Sequence, residues 1–374
     1  MTNPRRMQMA AANSGSSGYK LFTWGASEGG CLGHGAPIYL SSPVQVGSES
    51  HWLTVDGGSY TLAAITNDYK LFTWGVAGGG MLGDAQTAAN VSSPVQVGAL
   101  TDWLKVSVGR NSCHAIKTDG TLWAWGGAAS GQLGNGTVVN NSSPIQIGSK
   151  TNWTYVSNAN NNCFAIDTDG KLYSWGFANF GITGHGNTTT LSVPTQVGGL
   201  TTWAQVSGGR YNTIARKTDG TIWAWGRGAY GTIGQSDAVD HQSPVQVGSL
   251  TTWANIFCNF RTAVGVTTSG TLFAWGDNDS GEVGVGSKAI EAHSSPVQVG
   301  SLTNWSSSRG STKSIFALKT DKTAWAWGDN HAGTLGQGTA GATDGSSPVQ
   351  IGSDTNWVRL GGNFFGSVAW GLTE

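Results

Sequence analysis

The sequence predicts an all-β chain: a single seven-bladed β-propeller with four-stranded blades, closed by pairing of its N- and C-terminal half-repeats. Three periodic sets predict it. A Trp-Gly pair recurs at Trp24, Trp74, Trp125, Trp175, Trp225, Trp275 and Trp327. A second Trp recurs at Trp52, Trp103, Trp153, Trp203, Trp253, Trp305 and Trp357. A Pro recurs at Pro43, Pro94, Pro144, Pro194, Pro244, Pro296 and Pro348. Each set has seven members, and the period is about fifty residues, as a four-stranded propeller blade requires.

The spacings locate the variation. Each Pro precedes the next Trp by 9 residues, as from Pro43 to Trp52 and from Pro348 to Trp357. Six of these Trp precede the following Trp-Gly by 22, as from Trp103 to Trp125. Only the segment from Trp-Gly to Pro varies, from 19 residues (Trp24 to Pro43) to 21 (Trp327 to Pro348). Loops that vary on a fixed scaffold are the usual place for recognition.

The repeat that starts at Trp103 shows the elements in order. Trp103 to Val108 reads as the first strand and Cys113 to Thr118 as the second. Asp119-Gly120 is a tight hairpin turn, because this pair tolerates positive φ. Thr121 to Trp125 alternates apolar and polar residues and forms the third strand. Pro144 to Ile147 opens the fourth, where a Pro at a strand start or edge removes no ladder donor. The two ends complement each other: Glu374 aligns with Gly120, and Gly18 aligns with Asp119. One blade therefore combines strands from both ends, which removes a free sheet edge. Residues 1–18 read as a flexible leader ending in a Ser-Gly run, and 19–374 as the propeller.

Composition excludes several function classes. Charged residues are 11%, against roughly 25% in typical soluble proteins, and the net charge is −1. A nucleic-acid binder needs a basic footprint, so no nucleic-acid partner is expected. Eighteen Trp and 38% apolar residues can supply a core, which argues against disorder. No signal peptide and no membrane span are legible. Cys31, Cys113, Cys163 and Cys258 form no Cys-x-x-Cys pair and read as small core positions.

The run from Asp119 to Gly134 carries Asp-Gly, alternating apolar residues, Trp-Gly and then Gly-x-Leu-Gly. It resembles the regulator-of-chromosome-condensation repeat family over Tyr19 to Glu374. That resemblance implies a seven-bladed propeller. The family's founding member is a guanine-nucleotide exchange factor with a wedge inserted in one blade and a basic tail. Here no blade carries an insertion, and the tail offers only Arg5 and Arg6. Ser112, Asn162 and Asn212 stand where the family often has His. The near-identical Ser-Pro-Val-Gln-Val-Gly segments look like bacterial and bacteriophage members, which are commonly surface or virion components. A related propeller inhibits an enzyme by covering its active site, so the resemblance also implies a protein-binding ring face.

No catalytic constellation is legible, so no enzyme, metal or cofactor is expected. The seven His have no metal-ligand spacing and read as scattered surface residues. Trp123, Trp223 and Trp325 share a position with Phe22, Phe72, Tyr173 and Phe273 and read as inter-blade packing. The recurring Gln, from Gln45 to Gln350, reads as a structural hydrogen bond tying strand or blade together.

The strand order places first–second turns and third–fourth loops on one face. The turns there carry Arg110, Asn160, Arg210-Tyr211, Phe260-Arg261, Lys313 and Phe364-Phe365. The two longest loops add Lys288, Glu291, His293 and Asp344. Of these, Arg110, Arg210, Tyr211, Phe260, Arg261, Lys288, Glu291, His293 and Asp344 are the candidate partner-binding residues; drifting solvent loops are the alternative for the second set. Three functions compete. The first is a non-catalytic structural or adhesion protein, on a bacteriophage virion or microbial surface and otherwise cytoplasmic. The second is an intracellular regulator, an exchange factor or enzyme inhibitor, that binds a protein. The third is a glycan-binding lectin.

Overall fold

Seven four-stranded antiparallel sheets stand in a ring. The computed structural model describes residues 18–85, 89–339 and 343–374. The leader expected over 1–18 therefore lies, apart from Gly18, outside the described residues. Blade 1 runs through Trp52–Gly57, Thr61–Thr66, Leu71–Gly75 and Val91–Gln96. Blades 2 to 6 repeat it from first strands Trp103–Val108, Trp153–Asn158, Trp203–Gly208, Trp253–Cys258 and Trp305–Gly310.

Blade 7 is composite. Trp357–Gly362 and Val368–Thr373 come from the C-terminal end, Lys20–Gly25 and Leu40–Gln45 from the N-terminal end. The seam is an unbroken antiparallel ladder from Lys20 opposite Thr373 to Gly25 opposite Val368. Tyr19 adds a backbone bridge to Trp52 and so ties the seam to blade 1. First strands of adjacent blades touch all the way round, blade 7 to blade 1 included, and line a central channel.

The fourth strand begins earlier than the sequence suggested. It spans Asn141–Gln146, with Pro144 inside it. The pairing to the third strand slips between Asn141 and Ile145, so the Pro occupies the irregular stretch of an outer strand.

The core lies between the blades. Ala63, Ile65 and Leu71 of blade 1, for example, pack with Trp103, Val106 and Trp125 of blade 2. Each Trp-Gly indole is buried and donates its Nε1–H to a carbonyl of the preceding blade: Trp74 to Cys31, Trp125 to Met81, Trp175 to Gln132. The same bond closes the seam, from Trp24 to Thr334 at 2.8 Å. The glycine nine residues after each such Trp makes room for the next ring. At Gly184 φ is +81°, and an added Cβ would lie 2.9 Å from Trp225 Nε1.

Trp123, Trp223 and Trp325 lie, as expected, against cores shared with the preceding blade. Each also stacks edge-on against the first-strand Trp of its own blade, at centroid distances of 6.0, 6.4 and 5.9 Å. Alternation along the third strand puts each on the same face as the Trp-Gly indole two residues on. Two other packing expectations need correction. The recurring Gln makes only local bonds where a bond is seen: Gln146 and Gln246 donate to Gly148 and Gly248. His114 is fully buried rather than on the surface. All four Cys are buried and unbridged, and burial raises their thiol pKa, to about 12 at Cys31 and Cys258.

Candidate binding face

The glycine of each Trp-Gly pair sets the face. Gly226 has φ +102°, and an added Cβ would press on the Tyr211 carbonyl oxygen. The next residue, Arg227, donates its N–H to that same oxygen at 2.8 Å. The first–second turn and the start of the third–fourth loop are thus held together on one side of the ring. Asp277 N–H bonds the Arg261 carbonyl in the same way in the next blade, at 3.0 Å.

On that side, arginines stack on aromatic rings. The Arg210 guanidinium lies 4.3 Å from the Phe260 centroid and 4.8 Å from that of Tyr211. Arg261 lies 4.3 Å from Tyr230 and 5.3 Å from Phe260. Arg227 lies 5.0 Å from Phe180, whose ring meets Tyr211 edge-on at 5.3 Å. Phe365 reaches from blade 7 to Phe260 of blade 5, at 5.5 Å, and lies under Arg110 of blade 2, at 5.2 Å. Phe364 packs on Phe365 at 4.9 Å and lines the channel below. The turn of blade 7 therefore spans the channel mouth, and one cation–aromatic platform continues across it.

Five sequence candidates meet here: Arg110, Arg210, Tyr211, Phe260 and Arg261. The other four do not join the platform by any ring contact or ion pair among the described residues. Lys288 and Asp344 pair with each other at 2.6 Å. Glu291 is exposed and serves through its carbonyl, which accepts the Asn278 N–H at 2.7 Å. His293 belongs to the strand Ala292–Gln298, opposite Gly276, and not to a loop.

Sequence reasoning missed Phe180, Arg227 and Tyr230. Phe180 and Tyr230 sit in single 3₁₀ turns at φ +61° and +66°, where blades 7 and 1 have Gly29 and Gly79. A large side chain in the left-handed region costs energy that glycine avoids. The signal was a large aromatic residue at a repeat position that the other blades fill with Gly29, Gly79, Ser130, Ser280 and Ala332.

An acidic group borders the platform. Carboxylate oxygens of Asp277, Asp279 and Glu282 lie within 4.8 Å of one another. Lys313 Nζ reaches both Asp279 oxygens at 2.7 Å, and Arg261 approaches Asp277 at 3.5 Å. Burial pushes the Glu282 carboxyl up to about 8, so it is largely neutral at pH 7. The group is a charge-paired network anchoring Arg261.

The opposite face is regular. Lys117, Lys217 and Lys319 hold their ammonium groups 4.1, 3.6 and 3.5 Å from the rings of Trp123, Trp223 and Trp325. In blade 3, Asp167 replaces this lysine, and Lys150 supplies the cation from the loop, 2.8 Å from Asp167.

The family model for the RCC1-like domain matches residues 16–366. The chain belongs to this family. Among solved structures, Prp20p from Saccharomyces cerevisiae is similar with a TM-score of 0.87 and 17% identity, over 96% of this chain and 92% of that one. The same yeast protein in a complex with Kap60 gives a TM-score of 0.85 at 17% identity, over 96% and 89%. Human WBSCR16 gives 0.84 at 18% identity, over 95% and 99%. At these identities the likeness shows the fold. No curated protein sequence matches the chain. No helix among the described residues is long and apolar enough to cross a membrane.

Proposed function

We propose that this RCC1-like propeller is a non-catalytic regulator that binds a protein through its turn face. The observation that carries the reading is the platform, where four arginines stack on half-exposed aromatic rings. Arg and aromatic residues dominate the energetic centres of protein interfaces. Stacking holds each guanidinium in place, so little side-chain freedom remains to be lost on binding. The excess positive charge selects an acidic partner surface that also presents apolar groups. Two aromatics kept in a strained backbone point the same way.

The relatives support this reading over a virion or surface component. Prp20p is reported with binding properties to Gsp1p and histones, and its complex holds Kap60. These are protein partners of that relative. Nothing in the family match favours a bacteriophage-type member. The lectin reading needs free aromatic faces, but Arg210 already covers both Tyr211 and Phe260.

A photo-crosslinking residue at Tyr230 tests the reading in the protein's own cells. A discrete adduct of fixed mass is expected there, with none from the same probe at Tyr69 on the opposite face. An adduct from Tyr69 alone, or from neither position, overturns it.

A further inference from the structure

The first strands place two residues each toward the central channel, two and four positions after the leading Trp. Most of these are small or uncharged. Lys105 of blade 2, Arg309 of blade 6 and Arg359 of blade 7 are cations, and Asp56 of blade 1 is the single carboxylate among them. The cavity they line measures about 380 Å³, the size of a small-molecule site.

The lone carboxylate is already engaged. Asp56 Oδ2 accepts Ser107 Oγ–H and Val108 N–H, each at 3.0 Å. Its Oδ1 stands 3.7 Å from Arg309 Nη1. Lys105 donates only to the Thr154 carbonyl, and Arg359 to the Thr54 hydroxyl. Neither has an ion-pair partner among the described residues. Burial and the nearby Arg359 push the Lys105 ammonium down to about 8. Burial, then Arg309, lowers Arg359 to about 10. Cations gathered in a partly enclosed channel repel one another unless a counter-charge joins them. A chain with only 20 Lys and Arg in 374 residues nonetheless puts three at this spot.

We propose that the channel is a binding site for a small, multiply charged anion of the phosphate or phosphate-ester class. Two guanidinium groups supply forked donors and Lys105 a point charge, the combination that holds phosphate oxygens. Phe364 lines the channel beneath the platform. The site is separate from the protein-binding platform and does not depend on it.

Calorimetric titration of the full chain with inorganic pyrophosphate, and separately with adenosine diphosphate, tests the proposal. One-site binding is expected for at least one probe, weakened about tenfold or more in Arg359→Gln and in Lys105→Gln. Arg359→Lys, which keeps the charge, should lose less, and Arg210→Gln on the platform should lose nothing. Binding of pyrophosphate alone identifies a free anion; preference for the nucleotide identifies an ester. Should a Gln variant not fold, the wild-type melting temperature decides. Pyrophosphate must raise it above a chloride control of equal ionic strength. Absence of saturable binding and of that rise, or undiminished binding in both folded Gln variants, overturns the proposal.

Discussion

Each Trp-Gly tryptophan fills the gap between two blades and donates one hydrogen bond across it. The acceptors are not equivalent. Ile182 O, the partner of Trp225, also accepts Thr213 Oγ1–H at 3.0 Å. Cys31 O shows no second side-chain donor beside Trp74 among the described residues. Trp74→Phe should therefore cost about 1–3 kcal/mol, and Trp225→Phe less, because its acceptor stays satisfied. Urea denaturation of both variants checks this; equal losses would contradict it. His114 belongs to the same scale. Burial holds its imidazole down to about 4, from an ordinary 6.5. The folded chain then binds this proton less tightly than the unfolded chain, so acid favours unfolding. The loss begins near pH 6.5, levels near pH 4, and amounts to about 3 kcal/mol. His114→Phe, matching Phe164 in the next blade, should flatten that part of the stability–pH curve. The seven histidines had no common spacing to interpret, but the column that holds Ala63, Phe164 and Ile214 marks His114 as core.

Turns carry the functional differences between blades that are otherwise alike. Gly226 must stay glycine because its φ and its contact with the Tyr211 carbonyl exclude a side chain. Gly226→Ala should destabilise the protein by about 1–3 kcal/mol and displace Tyr211 from Phe180. Thermal melting and the intensity of the Tyr230 crosslink would report the two effects; an unchanged crosslink would show that the turn does not depend on this glycine. The strands themselves were legible because Trp103 and its equivalents open each first strand at a fixed spacing. The start of the fourth strand was not: ladder slippage around Pro144 admits residues that carry no strand pattern. Phe180 and Tyr230 escaped notice for a related reason. Their importance lies in a backbone conformation, and sequence shows that only as an aromatic residue where other blades have Gly, Ser or Ala.

For the whole molecule, blade count followed from the seven-fold periodicity, and closure from two half-repeats, one beginning at Gly18 and one at Trp357, that complete one unit. The ladder from Lys20 to Gly25 against Val368 to Thr373 is its physical form. The platform was legible only in part. Arg110, Arg210, Tyr211, Phe260 and Arg261 could be assigned to one face by strand order. That Phe365 bridges blades 2, 5 and 7 depends on the ring's diameter, which no local pattern encodes. The same geometry separates Lys288 and Asp344, which looked equivalent to the platform residues but neutralise each other. A ring with one cationic, aromatic face and one regular face should bind its partner by the first. Affinity capture with three versions of the full chain tests this most directly: wild type, Arg210→Glu with Phe260→Ala, and Lys171→Glu on the opposite face. The platform variant should lose the stoichiometric partner that wild type and Lys171→Glu both retain. Retention by the platform variant, or loss confined to Lys171→Glu, would contradict the account.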